Sequence, residues 1–187
     1  MDERKWIERI LAGDTQSFSC LVAKYEKMAY TIALRILENR EEAEEAVQDA
    51  FVKMYRALSD FHFDSKFSTW FYRIVYRTAL TALRQQRMFV SYEEAGPVDL
   101  SNDEVESATA LFERGERKEM IARTLKKLPA DEALLLTLYY LEECSVEEIC
   151  QITELSASNV KVKLFRGRKR FYEVLQDKMK LETADLL

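Results

Sequence analysis

Residues 145–171 read Ser145-Val-Glu-Glu-Ile149-Cys-Gln-Ile152-Thr-Glu-Leu155-Ser156-Ala-Ser158-Asn159-Val160-Lys161-Val-Lys163-Leu164-Phe165-Arg166-Gly167-Arg168-Lys169-Arg170-Phe171. Ser145 with Glu148 three positions on is a capping box, so a short helix starts there. Thr153-Glu154-Leu155 is a brief connection, and a longer helix opens at Ser156 or Ser158. Val160, Leu164, Phe171 and Val174 fall on its inward face. A short helix, a tight turn and a longer basic helix make the layout of a helix-turn-helix. The long helix carries Lys161, Lys163, Arg166, Arg168, Lys169 and Arg170, with no acid between Ser156 and Arg170. Such a face can also serve solubility or the helix dipole. The helix-turn-helix layout is what turns the reading toward nucleic acid.

The surrounding chain is helical as well. Its 187 residues contain only four Gly and two Pro, too few turn formers for an all-β fold. Before the quoted stretch, Leu134, Leu135, Leu138 and Leu141 form an apolar face after Pro129, and Met120, Ile121, Thr124, Leu125 and Leu128 form another before it. Near the start, Trp6, Ile7, Ile10 and Leu11 give a short stripe that stops at Gly13-Asp14, a helix end and a new cap. Phe18, Leu21, Val22, Tyr25, Met28, Ala29, Ile32 and Ile36 then step by three and four over more than five turns. Asn39 caps a third helix whose first turn is rich in Glu and whose inner face is Ala43, Ala46, Val47, Ala50, Phe51, Met54 and Leu58. A fourth helix is expected from about residue 69 to 87. The stretch 92–115 is acidic around Gly96-Pro97 and reads as a solvated linker. The expected architecture is all-α, with two small helical domains, 1–91 and 116–187, joined by that tether.

A second basic stretch lies in the first domain. Lys66, Arg73, Arg77, Arg84 and Arg87 stand between Ser65 and Ser91 without an acid, interleaved with Phe67, Trp70, Phe71, Tyr72, Tyr76 and Phe89. Cations hold phosphates, and flat rings can receive unstacked bases. By spacing, Trp70, Ile74 and Thr78 or Ala79 share one face, which makes Trp70 a core residue. The loop rings Phe61, Phe63 and Phe67 are the better candidates for a base pocket.

Other classes are weaker. The net charge of −5 (28 basic, 33 acidic residues) gives no global pull toward nucleic acid, so local patches must supply it. Cys20, Cys144 and Cys150 form no metal or redox spacing and read as reduced, buried thiols. The lone His62 has no partner at ligand spacing and no Gly-rich phosphate loop exists, so neither catalysis nor a metal or cofactor is expected. The charged opening Met1-Asp2-Glu3-Arg4-Lys5 has no apolar run behind it, and no stretch approaches the roughly 20 apolar residues of a membrane helix. The expectation is a cytoplasmic protein without membrane insertion.

Three stretches together resemble a known family. Ala43-Glu-Glu-Ala-Val-Gln-Asp-Ala-Phe-Val-Lys-Met-Tyr-Arg56 is similar to the polymerase-binding helix of bacterial sigma factors of the extracytoplasmic-function (ECF) type, within the sigma-70 family. Lys66-Phe-Ser-Thr-Trp-Phe-Tyr-Arg-Ile74 is similar to the signature beside its DNA-melting loop, and Leu128 through Phe171 follows its C-terminal helix-turn-helix pattern without a gap. The resemblance implies a sigma-2-like bundle followed by a sigma-4-like domain. It implies core RNA polymerase as partner, through the β′ coiled coil and the β flap, with Glu45, Gln48, Asp49, Lys53 and Arg56 as polymerase contacts. For the promoter −10 element it implies Phe61, Phe63, Lys66, Phe67 and Ser68 around a flipped base, and Arg73, Arg77, Arg84 and Arg87 on the backbone. For the −35 element it implies Lys161, Lys163, Phe165 and Arg166 where the recognition helix enters the major groove, Ser158 and Asn159 as further contacts, and Arg168, Lys169 and Arg170 on phosphates. It also implies an anti-sigma partner. The chain departs from the family pattern at Arg77 and Thr81, where Asn and Asp are usual, and at Thr153-Glu154, Ser158-Asn159 and Gly167, where Leu-Gly, Gly-Thr and Ala are usual. Glu154 replaces a residue suited to positive φ, which implies either strain or an altered turn. The alternative is a stand-alone helix-turn-helix regulator with an N-terminal sensing or dimerisation domain; the basic, aromatic stretch 66–89 argues against it.

Overall fold

The computed structural model describes residues 3–90 and 112–184, with side chains for 3–86 and 119–176. Among the described residues there are eight α-helices and no strand. The first four are α1 (Glu3–Leu11), α2 (Thr15–Leu37), α3 (Arg40–Arg56) and α4 (Phe67–Val90), with a 3-10 turn at Leu58–Asp60. The second four are α5 (Phe112–Lys126), α6 (Ala130–Tyr140), α7 (Val146–Thr153) and α8 (Ala157–Ala184).

The caps explain the boundaries. Gly13 takes φ 95° between α1 and α2, and the Asp14 carboxylate accepts the Gln16 N–H at 2.9 Å and the Ser17 hydroxyl at 2.9 Å. Asn39 Oδ1 accepts the Glu42 N–H at 3.1 Å. At α7 both halves of the capping box form: Ser145 Oγ accepts the Glu148 N–H at 3.1 Å, and Glu148 Oε2 accepts the Ser145 N–H at 2.8 Å. Each satisfies donors that a helix start leaves unpaired.

In the N-terminal module α2, α3 and α4 pack on one another and α1 lies on α2. The expected inner face of α3 is buried throughout, from Ala43 to Met54, with Leu58 beneath it. The phase of α4 differs from expectation. Its buried row is Phe67, Phe71, Tyr72, Val75, Thr78 and Ala79, while Trp70 and Ile74 are half-buried. Both stripes fit a helical period; Phe71 wins because it closes the ring cluster of Tyr25, Phe51 and Phe67 at centroid distances of 6.0, 4.8 and 6.2 Å. The cysteine expectation also needs correction: Cys144 is buried, Cys150 half-buried and Cys20 exposed. Burial raises the Cys144 thiol to about 11, with the Glu148 and Glu142 carboxylates adding to it.

In the C-terminal module α6 is buried on nearly every side from Glu132 to Leu138, under α8 and α7. Gly167 explains itself here. A Cβ at this position would meet Leu136 Cδ1 at 3.2 Å and Glu132 Cβ at 3.3 Å, so its absence lets α8 lie close on α6. Residues 91–111, which take in most of the expected linker 92–115, lie outside the described residues; α5 begins at Phe112. The two modules also touch one another. Here α4 lies along α7, and α2 meets α6.

Glu38 closes α2 in the left-handed region at φ 56°, where a side chain costs roughly 1–2 kcal/mol that glycine avoids. Glu38→Gly is expected to stabilise the protein by about 0.5–1 kcal/mol after glycine's larger unfolded-state entropy is subtracted. Thermal melting checks this; an unchanged or lower Tm contradicts it.

Candidate nucleic-acid interface

Three surfaces carry the sequence-predicted residues. On α3, Glu45, Gln48, Asp49, Lys53 and Arg56 are all exposed, and Lys53 Nζ donates to Thr78 Oγ1 on α4 at 3.2 Å. Among them stand two apolar side chains that the sequence reading left aside, Val52 and Tyr55, exposed by 47% and 48%. They sit off the buried stripe, so their position on the helical wheel was the available signal. Apolar groups kept wet within a polar face suit a protein contact.

The second surface is the 61–68 loop and the start of α4. Phe61 and Phe67 are only 7% and 3% exposed and pack edge-to-face at 5.5 Å. They are core rings, a correction to their placement in an open base pocket. The physical reason is local: between the 3-10 turn and α4 these rings plug the end of the bundle. Phe63 alone of the three is exposed, at 37%, and it is held at φ 61°. The Arg4 guanidinium lies 4.5 Å from its ring centroid, a cation–π distance. Glu3, Arg4, Phe63, Ser65, Lys66 and Phe67 line a cleft of about 350 Å³. The α1 residues in it had no signal in the sequence beyond their charge. Lys66 is exposed and Ser68 half-buried; along α4 Arg73 is half-buried, Arg77 and Arg84 are exposed, and the Arg87 side chain lies outside the described residues.

The third surface is the helix-turn-helix. Ile149, Ile152, Val160 and Leu164 are buried, which fixes the short helix α7 against the long helix α8. The turn between them passes through Glu154 at φ 63°, ψ 14°. Of the two readings of that turn, the strained one is realised. Ser156 Oγ accepts the Asn159 N–H at 3.3 Å and starts α8. Ser158, Asn159, Lys161, Phe165, Arg166, Arg168, Lys169 and Arg170 are exposed and Lys163 is half-buried. The cations differ in freedom. Lys163 is ion-paired with Asp131. Arg170 Nη1 lies 2.8 Å from Glu132 Oε1, a carboxylate only 7% exposed. Arg168 Nη1 donates weakly to Tyr140 OH at 3.4 Å, and Lys169 lies 3.9 Å from Glu173. Lys161 and Arg166 make no ion pair or hydrogen bond among the described residues. Beside them the Phe165 ring is 64% exposed, with Val162 at 46%.

Two family models match the chain: sigma-70 region 2 over residues 21–88 and sigma-70 region 4 over residues 118–171. The RNA polymerase sigma-H factor of Pseudomonas aeruginosa is 32% identical over 181 residues, covering 93% of this chain and 94% of that protein. The chain belongs to the sigma-70 family. The ECF RNA polymerase sigma-E factor of Escherichia coli K12 is 31% identical, covering 87% of this chain and 88% of its own. Two solved structures share the fold. One is RpoE of Bartonella quintana in complex with the anti-sigma factor NepR (TM-score 0.69, 18% identity, 86% of this chain and 98% of that one). The other is CnrH with the cytosolic domain of CnrY (TM-score 0.61, 22% identity, 94% and 97%). This sigma factor is therefore a promoter-specificity subunit of ECF type, and the region 2 match over α2–α4 sets the stand-alone regulator aside.

Burial separates the three loop rings of the sigma factor in a measurable way. Phe67→Ala is expected to cost about 3–5 kcal/mol, as for other large-to-small core changes, and Phe63→Ala less than about 1 kcal/mol. Denaturant unfolding of the two variants checks this, and equal losses would place both rings in the core.

Proposed function

We propose that this sigma factor directs core RNA polymerase to promoters through two cationic surfaces, α4 with its preceding loop for the −10 element and α8 for the −35 element. The observation that carries the reading is the outer face of α8. Lys161, Phe165 and Arg166 stand exposed there, opposite Val160, Leu164 and Gly167, which hold the helix down. A helix so mounted can enter a major groove, where an arginine pairs bidentately with guanine and an apolar ring meets thymine methyls. Arg168 and Lys169 flank it for phosphates. Lys163 and Arg170 already hold carboxylates of α6, so their first task is to fix the angle of α8.

At the −10 surface, Phe63, Lys66 and the cleft beside them offer an exposed ring with cations at its rim, which suits a base taken out of the stack. Arg73, Arg77 and Arg84 continue the charge along α4. Residues 1–91 and 116–187 act as separate modules with 92–115 as tether. The outer face of α3, with Gln48, Asp49, Val52, Tyr55 and Arg56, is the contact for the β′ coiled coil, and the C-terminal module meets the β flap. The chain works in the cytoplasm, performs no catalysis and needs no cofactor. An anti-sigma factor as regulator is supported by the fold it shares with the NepR-bound RpoE.

Arg166→Ala is expected to weaken binding to a −35 duplex by about 1–3 kcal/mol while leaving random-sequence DNA nearly unaffected. Titration against both duplexes measures it; equal losses would remove the base-reading role. Asp49→Lys is expected to lower affinity for core polymerase with Tm unchanged, since the side chain is exposed and unpaired among the described residues. Co-sedimentation with core and a melting curve on one preparation check it, and a joint loss of folding would make the position structural.

A further inference from the structure

The region 2 match starts at residue 21, beyond α1, and the promoter reading gives α1 no role. Its first turn nevertheless reaches the −10 surface. Successive helix residues point about 100° apart, so Glu3 and Arg4 address different neighbours. Glu3 Oε1 accepts from Tyr25 OH and from Lys24 Nζ on α2. Tyr25 is buried, and its ring lies 5.3 Å from that of Phe67 at the start of α4. Ile7 and Ile10 are buried further along α1, which also meets the 3-10 turn ahead of the loop. The backbone of this first turn is therefore pinned to the bundle.

Arg4 is exposed, and its guanidinium lies over the Phe63 ring. The Phe61 ring supports Phe63 from the core, with centroids 4.7 Å apart and planes tilted by 55°. Phe63 itself sits at φ 61°, a left-handed conformation that a bulky residue keeps only where its surroundings impose it, and such outliers gather at ligand clamps. The cleft of about 350 Å³ opens between these groups, with Ser65, Lys66 and Phe67 completing its wall. That volume is at the small end of the range for ligand sites, about 300–1,000 Å³. Unstacked bases are held on aromatic rings and on arginine guanidinium planes alike. Here one of each already stands face to face.

We infer that Arg4 of α1 is a base-holding residue of the −10 pocket: one unstacked base of the promoter strand enters between the Arg4 guanidinium and the Phe63 ring and is stacked on both. The guanidinium has to lift by about the 3.4 Å spacing of stacked bases, which a long arginine stem allows while the backbone stays in place. Glu3 is then a positioning residue, because it ties the first turn of α1 to α2 and so sets where Arg4 stands. This rests on the −10 reading of Phe63 proposed above and adds to it a helix that the region 2 match does not cover.

The test uses the full-length chain bound to core polymerase. The probe is the anisotropy of a labelled single-stranded oligonucleotide carrying the −10 strand of a promoter that the holoenzyme transcribes, together with a set made abasic at one −10 position each. Arg4→Ala is expected to weaken binding of the intact strand about three- to tenfold, the range of a cation–π contact. Against the strand abasic at the position that Phe63 serves, the same substitution should cost nothing, because no base is left to hold. Arg4→Lys keeps the charge but lacks the flat guanidinium, so it should recover little of the loss. Lys5→Ala removes the same charge from the next, exposed position of α1 and should match the wild type. Arg4 is exposed, so a melting curve should show Tm unchanged in both Arg4 variants. An equal loss on every abasic strand, full recovery by lysine or an equal loss in Lys5→Ala would mean attraction to phosphates and overturns the base-holding role. Loss with Phe63→Ala but none with Arg4→Ala overturns it too and leaves the −10 reading standing. If Phe63→Ala and Arg4→Ala both bind as the wild type does, the −10 reading of Phe63 falls, and the role of Arg4 falls with it.

Discussion

Burial of one stripe of α4 sets the terms for the rest of the molecule. Phe67, Phe71, Val75 and Ala79 face α2 and α3 at 3% exposure or less, each large ring contributing about 1.5–3 kcal/mol of transfer free energy. Once that row is inside, a 3.6-residue period leaves no choice about the flanks. Lys66, Thr69, Tyr72 and Arg77 line the side that meets α7, and Arg84, two turns beyond Arg77 on the same face, is exposed. The rings that anchor the helix and the polar groups that act on it are therefore one decision. Phe61 and Phe67 are buried with that row, and Phe63 is left exposed at 37%.

Net charge is a poor guide to what such a chain binds. At −5 overall, the protein concentrates its cations on α4 and α8, and its acids sit within reach of both. Asp131 and Glu132 stand at the start of α6 beneath α8, and Glu148 caps α7 beside α4. The Glu148 carboxyl shows how the balance falls. Partial burial pushes its pKa up, but the Ser145 N–H and Lys66 together outweigh this and hold it below the usual glutamate value. A group shifted that way stabilises its surroundings fully above its ordinary value of 4.5 and loses that contribution as pH falls through the lower folded value. Asp131 follows the same logic: burial raises it, and Lys163 brings it down further. Glu148 and Asp131 are thus ionised partners at neutral pH, and the local fields along α4 and α8 are set by contacts, not by the sum over the chain.

Local structure was legible in the sequence because its causes are local. The caps at Asp14, Asn39 and Ser145, the stop at Gly13, the break at Pro129 and the inner face of α3 all follow from residues within a turn of one another. The family was legible too, since three motifs in order leave little freedom. The phase of α4 was not, because Trp70/Ile74 and Phe71/Val75 fit the same period and only the rings of α2 and α3 choose between them. Arg170 read as a phosphate grip because its partner Glu132 lies 38 positions away. Arg77 and Glu154 looked like two unrelated departures from the family pattern. They are 77 positions apart and meet side by side, a pairing that no periodicity or spacing could show.

The face of α8 proposed to read bases is aimed by what lies on its opposite side. Close-packed interiors transmit small displacements instead of absorbing them, so the angle of a recognition helix is fixed by how its inner face seats. Val160 and Leu164 are fully buried, and Gly167 continues their row with no side chain, letting the backbone settle within contact distance of Leu136 and Glu132. Lys163 and Arg170 then tie the helix to Asp131 and Glu132 on α6. Glycine inside a helix costs about 1 kcal/mol of propensity, and here that cost secures a short distance between two helices. A larger residue would lift the helix where Arg166 stands, one position from the contact. Helix stability and aim are therefore in competition at residue 167, and in this chain aim has been favoured.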